Sequence, residues 1–339
     1  MRSGSGGARD PALPAVSGRP ALAHPGWCAN LVHAARVRPG ERVIVVVDEP
    51  LVEEGARLIA AVSDAGASAE LLLWAGERPF AHAPRDLLAA AERADVSLHL
   101  QHAPRGEEGG ARFELLETVT SHGGRQIFMG LVDPPLLQGE LSEPAPELEA
   151  PARALLARLQ GADELRVRGR AGTDLALRVG GRSWKSDALP LEPGGYANYP
   201  GGEVFTAPLE DSADGVLVAD VTVPYTVEGL VDRPVVLRFQ RGRVTSIEGG
   251  EAAAILERLV AEAGAGADVI AELGIGLNPG VVPRGHVMLD EKAAGTAHVA
   301  IGRNTGLYGG VNESSIHVDC VFSEPEVEVE GSPIPLPAS

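Results

Sequence analysis

Residues 41–50 read ERVIVVVDEP, with five consecutive branched aliphatic residues, Val43 to Val47, held between Pro39-Gly40 and Pro50. Branched Cβ atoms are stiff at χ1 and favour extended backbone. A run without polar alternation suits a strand buried on both faces, as in a parallel sheet covered by helices above and below. Working outward, the flanks agree. Trp27–Arg36 has the spacing of a short helix. Val52–Ala65 has helical spacing and stops at Gly66, a residue suited to the left-handed turn that ends a helix. Then follow a strand at Ala69–Trp74, a helix at Pro84–Ala94, a strand at Val96–Leu100, a helix at Phe113–His122 and a strand at Gln126–Met129. Alternating strand and helix predict a parallel α/β layer over residues 23–145.

The texture changes at Leu141–Pro151, rich in Pro and Glu. A helix is expected at Ala152–Gln160, followed by short strands punctuated by glycine: ELRVRG, DLALRVGG, GVLVADVTV, PVVLRFQRG and RVTSIEG. With one helix among them, Ala252–Ala263, they predict an α+β domain with antiparallel strands over residues 152–339. Residues 1–22, rich in Gly, Pro and Ser, read as a flexible tail without the apolar core of a signal peptide.

The 47 acidic and 29 basic residues give a net charge of −18. Such a surface repels phosphate backbones and anionic lipid, so neither nucleic acid nor membrane is expected as a partner. Cys28 and Cys320 are the only cysteines. That excludes a disulfide framework and a thiolate zinc cluster, and a soluble protein of the reducing cytoplasm is the expectation.

The second half carries most of the chemistry-bearing residues. In IHVDC, His317 and Asp319 lie two apart in a β-prone run, which directs an imidazole and a carboxylate to one face. His298 sits in the strand-like GTAHVAIG, Glu272 in AELGIGLNPG and Glu203 in PGGEVFTAP. Each could be a hydrogen-bonded core residue. Together they form a set of two imidazoles and three carboxylates in apolar, glycine-flanked segments, where unpartnered charge is costly. Two divalent cations and a bridging hydroxide would bring that set near neutrality, and mixed His and carboxylate donors suit zinc, cobalt or manganese. Such a pair activates water and polarises a carbonyl, so the residues permit a two-metal hydrolase. Glu291 and Lys292 in LDEK could orient ligands or the attacking water, Arg182 and Trp184 are candidates for the substrate wall, and Asn312 and Ser314 for donors to substrate or to the carboxylates behind the ligands. His99 and His102 end a strand of the first layer, where α/β sheets bind ligands. Neither a GxGxxG nor a P-loop pattern occurs.

AGTDL at Ala171–Leu175, GGEVFTAP, ELGIGLNPG, LDEKAAGTAHVAIG and GGVNESSIHVD, in that order, resemble the successive motifs of the aminopeptidase T and S family. The likeness is dense over about residues 170–335. It implies two-metal exopeptidases with an α/β domain and a catalytic domain, and association as a homodimer. The ligand positions fall on Glu203, Glu272, His298, His317 and Asp319, of which Glu203 and Glu272 are also the candidate catalytic carboxylates. The substrate would be a small peptide or amide. A family tyrosine falls on Thr305, with Tyr308 three residues later as the candidate replacement and a further substrate-binding candidate. The 2,5-dihydroxypyridine dioxygenases resemble the same fold at nearly this length. They imply a single Fe(II) on His, His and Asp, with a histidine at the place of Glu272 and apolar residues at Glu203 and His298. A scaffold that kept the fold without chemistry is the third alternative.

Overall fold

The computed structural model describes residues 25–105, 108–143, 145–188 and 190–337; the expected tail over residues 1–22 lies outside them. The first layer consists of α1 (Gly26–Ala34), β1 (Arg42–Val47), α2 (Val52–Asp64), β2 (Ser68–Leu73), α3 (Arg85–Ala91), β3 (Val96–Gln101), α4 (Gly109–Ser121), β4 (Arg125–Gly130) and α5 (Pro134–Gln138). These four strands pair in parallel in the order β2-β1-β3-β4.

The branched run of β1 explains the layering. Val43, Val45 and Val47 join one core with Trp27 and Leu31 of α1 and Leu58 and Val62 of α2. Ile44 and Val46 point the other way, into a second core with Leu87 of α3 and Leu115 and Val119 of α4. Successive strand side chains alternate faces, and both faces are covered, so no position in the run could be polar without a partner.

The second half begins with α6 (Glu149–Leu159), β5 (Glu164–Gly169), β6 (Asp174–Arg178), β7 (Lys185–Ser186), β8 (Tyr196–Asn198), β9 (Glu203–Thr206) and β10 (Asp214–Ala219). It continues with β11 (Val235–Gln240), β12 (Arg243–Glu248), α7 (Glu251–Ala263), β13 (Ile270–Gly276), α8 (Val287–Asp290), β14 (Thr296–Gly302), β15 (His317–Ser323), β16 (Pro325–Val329) and β17 (Ser332–Ile334). Two antiparallel sheets result, in the orders β12-β11-β10-β6-β5-β16-β17 and β15-β14-β13-β9-β7. The expected antiparallel texture is present. From beyond residues 23–145, β8 pairs in parallel with β4 as the fifth strand of its sheet. That pairing satisfies backbone groups that the β4 edge would otherwise expose. Leu191, Ala197, Tyr199, Leu289 and Ala293 also join the first layer's core.

The two antiparallel sheets share a core: Leu165, Val167, Leu175, Leu177, Leu217 and Leu237 meet Val204, Leu273, Ile275, Val299, Ile301, Val318 and Phe322. This inward set fixes what the five-stranded sheet presents on its other face. On β13 the alternation puts Leu273 and Ile275 inward and Glu272 and Gly274 outward. On β14 Val299 goes inward and His298 outward, and on β15 Val318 goes inward, His317 and Asp319 outward. Val204 of β9 is inward, so Glu203 and Phe205 are outward. A single hydrophobic alternation therefore gathers all five expected ligands on one face.

Candidate metal centre

On that outer face β13 is the middle strand, with β14 and β9 on either side and β15 beyond β14. Gly274 is opposite His298, Gly276 opposite Glu203, and Ala300 opposite Asp319. The glycine at 274 is required by the ring above it, because a Cβ there would lie 2.0 Å from Cε1 of His298.

His298 Nε2 lies 3.5 Å from Glu272 Oε1, 3.7 Å from Glu203 Oε2 and 3.8 Å from Asp319 Oδ1. His317 Nε2 lies 3.1 Å from Glu272 Oε2 and 3.1 Å from Asp319 Oδ1. The donors form overlapping groups within 4.8 Å: Glu203, Glu272 and His298; Glu272, His317 and Asp319; and Glu291, His298 and Asp319. Glu203, Glu272 and His298 are 5%, 3% and 1% exposed, so water does little to screen them. Glu203 Oε2 and His298 Nδ1 are buried without a hydrogen-bond partner among the described residues. His317 is oriented by its other nitrogen, with Nδ1 2.6 Å from the Arg303 carbonyl oxygen, as metal-binding imidazoles commonly are. Carboxylate oxygens, imidazole nitrogens and orphaned buried donors make a set that fits divalent zinc, cobalt or manganese.

Protonation follows from the crowding. Burial works against charge on His298, but Glu272, Glu203 and Asp319 outweigh it and push the imidazole up to about 10. Burial would raise Glu272, yet His298 and His317 hold it below its ordinary value. Burial pushes Glu203 well above the usual carboxylate range, although Lys292 pulls against it. These directions describe the protein's own charges; a bound cation would take the place of the protons.

Two further acids and a lysine complete the neighbourhood. Lys292 is fully buried and hydrogen-bonds Glu203, with Nζ 2.9 Å from Glu291 and 3.3 Å from Asp187. Asp187 Oδ1 in turn accepts from the backbone N–H groups of Gly202 and Glu203 at 2.8 and 2.9 Å. Asp187 escapes sequence reading, because it follows GGRSWKS, a segment with no apolar period to mark it as buried. Beside the cluster is a cavity of about 130 Å³ whose walls include Phe113, Lys185, Asn198, Phe205 and Tyr308. Tyr308 stacks on His317, with ring centres 4.5 Å apart.

Other expected residues are engaged elsewhere. Arg182 does not line this cavity: it donates to the Gly309 carbonyl and pairs with Glu210, which also accepts from Asn304 and Val311. Asn312 donates to the carbonyls of Gly266 and Gly302, and Thr305 accepts from Arg303. These contacts hold the 303–312 segment in place. Ser314 accepts from the Ile316 backbone, and Trp184 packs on the core shared by the two antiparallel sheets. In the first layer, His102 Nδ1 meets the Val132 carbonyl, while His99 is fully buried beside Trp74 and Phe128.

A family profile described as thermophilic metalloprotease (M29) matches residues 147–333, more than half of the chain and a span that includes all five expected ligand positions. The chain belongs to the M29 family. Among curated relatives of this M29 chain, it is 27% identical over 182 residues to aminopeptidase AmpS of Bacillus subtilis (strain 168). It is 30% identical over 181 residues to aminopeptidase T of Thermus thermophilus, and 30% over 167 residues to 2,5-dihydroxypyridine 5,6-dioxygenase of Pseudomonas putida. These alignments cover 47–48% of the chain and 43% of each relative, so the chain matches less than half of their length. Solved structures are similar over nearly the whole chain. The Pseudomonas putida dioxygenase covers 92% of it with a TM-score of 0.73, and wild-type AmpT from Thermus thermophilus covers 91% with 0.65, both at 22% identity. At that identity the likeness establishes a shared fold: a parallel sheet joined to antiparallel sheets.

Proposed function

We propose that this M29 protein is a metal-dependent hydrolase that cleaves an N-terminal peptide bond or another small amide. In this reading Glu203, Glu272, His298, His317 and Asp319 hold two divalent cations. The observation that carries it is the position of Glu272, which turns one oxygen toward His298 and the other toward His317 and so belongs to both donor groups. Charge supports two ions rather than one. Asp187, Glu203, Glu272, Glu291 and Asp319 set five carboxylates close together, and the Lys292 ammonium meets three of them, Asp187, Glu203 and Glu291. With neutral imidazoles four negative charges are left beyond Lys292, or three when the more distant Lys185 of the same cavity is counted, an excess greater than one divalent cation cancels.

Cations held here would polarise a substrate carbonyl and lower the pKa of water. The protein's share is positional. Lys292 fixes Glu203, Asp187 fixes the backbone at Glu203, and the Arg303 carbonyl fixes the tautomer of His317. Tyr308, Phe205 and Phe113 wall the cavity and restrict bulk water.

A second reading, a mononuclear iron(II) dioxygenase, draws on the whole-chain fold likeness to the Pseudomonas putida enzyme. Weighing against it are a carboxylate at 272, where that resemblance implies an imidazole, and the retained Glu203 and His298. A scaffold without chemistry gives no reason for buried acids at the site. Elemental analysis of untagged protein, before and after addition of zinc or cobalt, separates the three. About two ions per chain with release of free amino acid from aminoacyl substrates supports the hydrolase. One iron with oxygen uptake moves the assignment to the dioxygenase, and no metal under either condition leaves the scaffold.

A further inference from the structure

The chain contains 27 arginines and only two lysines, Lys185 and Lys292. Both are at this site, and their surroundings differ. The ammonium of Lys292 is answered by Asp187, Glu203 and Glu291. That of Lys185 lines the cavity and donates to the backbone carbonyl of Leu307, with no ion pair among the described residues. Phe205 is its register partner on β9, and Tyr308 and Asn198 stand nearby on the lining; Asp187, Glu203, Glu272, Glu291 and Asp319 share that wall, with Glu272 acting on the Lys185 charge from beyond ion-pair distance. Asn198 Oδ1 accepts from the Tyr196 hydroxyl, which turns its amide N–H groups away from that bond. In a protein of net charge −18 a carboxylate partner is easily found, and a half-buried cation without one is costly unless a partner arrives from outside. An ammonium is a compact point charge that fits where a guanidinium fork does not. The cavity, at about 130 Å³, is well below the roughly 300–1,000 Å³ of sites for drug-sized ligands.

We propose that this cavity takes a small substrate bearing a free carboxylate, such as a dipeptide, and that Lys185 receives the carboxylate while the reacting amide faces the Glu272 cluster. The proposal rests on the hydrolase reading and adds the substrate class. Lys185 sets specificity by binding the end of the substrate that does not react. Binding energy there fixes the position of the amide relative to the ligand cluster.

The test uses the full chain reconstituted with zinc or cobalt, and two probes that differ only in terminal charge, alanylalanine and alanylalaninamide. The free acid is expected to be cleaved with a kcat/KM at least about 10-fold above the amide, mainly through KM. In Lys185→Met that preference falls to within about twofold through loss of the acid, with cleavage of the amide retained; Lys185→Arg restores part of it. Equal losses for both probes, with a lowered Tm, would mean that Lys185 only supports the Leu307 backbone, and the proposal fails. If neither probe is cleaved although metal is bound, the hydrolase reading fails separately, and calorimetric binding of the same probes decides the Lys185 assignment. Tighter binding of the acid that disappears in Lys185→Met upholds it; equal affinity, or no binding of the acid, overturns it.

Discussion

His99 and His298 are both buried on interior strands of five-stranded sheets, yet their environments drive them in opposite directions. His99 on β3 lies between Trp74 and Phe128, with ring centres 5.0 and 5.3 Å away, and neither ring nitrogen has a partner among the described residues. Burial, helped by the nearby Arg112, pulls it down to about 3. His298 on β14 has Glu203, Glu272 and Asp319 within 3.8 Å and is pushed up to about 10. Burial costs both imidazoles their charge; the carboxylates reverse the outcome at one of them. A perturbed buried histidine therefore marks a site only through what surrounds it.

The largest effect expected from breaking the His298 environment is at Glu272. Glu272→Gln keeps the shape and removes the shared charge, so metal content should fall from about two ions per chain to one or none. Hydrolysis of aminoacyl substrates should drop more than about 100-fold, beyond the 10- to 100-fold typical of residues that only support ligands. Unchanged metal content and activity would remove Glu272 from the site.

Next is Gly274→Ala. The added methyl would meet the His298 ring at 2.0 Å. Crowding of this kind costs about 1–3 kcal/mol, and the displaced imidazole should lose metal affinity. A fall in urea midpoint together with weakened zinc binding is the expected pair of results; a variant with unaltered affinity would show that the ring can shift freely. Lys292→Met probes the acids from the other side. Three carboxylates lose their common counter-charge, and breaking a buried ion pair of this kind costs roughly 3–5 kcal/mol. In metal-free protein the unfolding midpoint should fall, and added zinc should recover part of the loss by neutralising the same acids. Equal losses with and without zinc would mean that Lys292 and the cations act independently.

What was legible in the sequence follows the same logic. The β1 run could be read because both faces are covered and the pattern has one meaning. Glu203, Glu272, His298, His317 and Asp319 stood out because acids and imidazoles in apolar, glycine-flanked strands violate ordinary burial preferences. β8 was not legible: a three-residue strand among Gly and Pro has no period to detect, and only its pairing with β4 defines it. Lys185 and Asp187 lie in a similar segment without periodicity. Arg182 is expected at the substrate wall, and Asn312, just before the His317–Asp319 strand, as a donor to substrate or to nearby carboxylates. They are instead absorbed by backbone carbonyls and Glu210, which sequence proximity cannot reveal.

The smallest effect sharpens the comparison from the first layer. Because the folded protein holds His99 at about 3 while an unfolded histidine titrates near 6.5, the unfolded chain binds more protons between those values. Stability from keeping His99 neutral is therefore fully present above about pH 6.5 and is lost progressively as pH falls toward 3, at up to about 1.4 kcal/mol per pH unit for this group. Many carboxylates titrate over the same range, so the signal lies in the difference from His99→Leu, which has no proton to gain and leaves no ring nitrogen unpartnered. At neutral pH the variant should be near parental stability, since an apolar side chain replaces a polar one that makes no hydrogen bond. Below pH 6.5 it should become progressively more stable than the parent, read as a widening gap in urea midpoints between pH 6.5 and 4.5. A gap that stays constant would mean that His99 reaches water or a partner when protonated, and the contrast with His298 would then be one of degree rather than of sign.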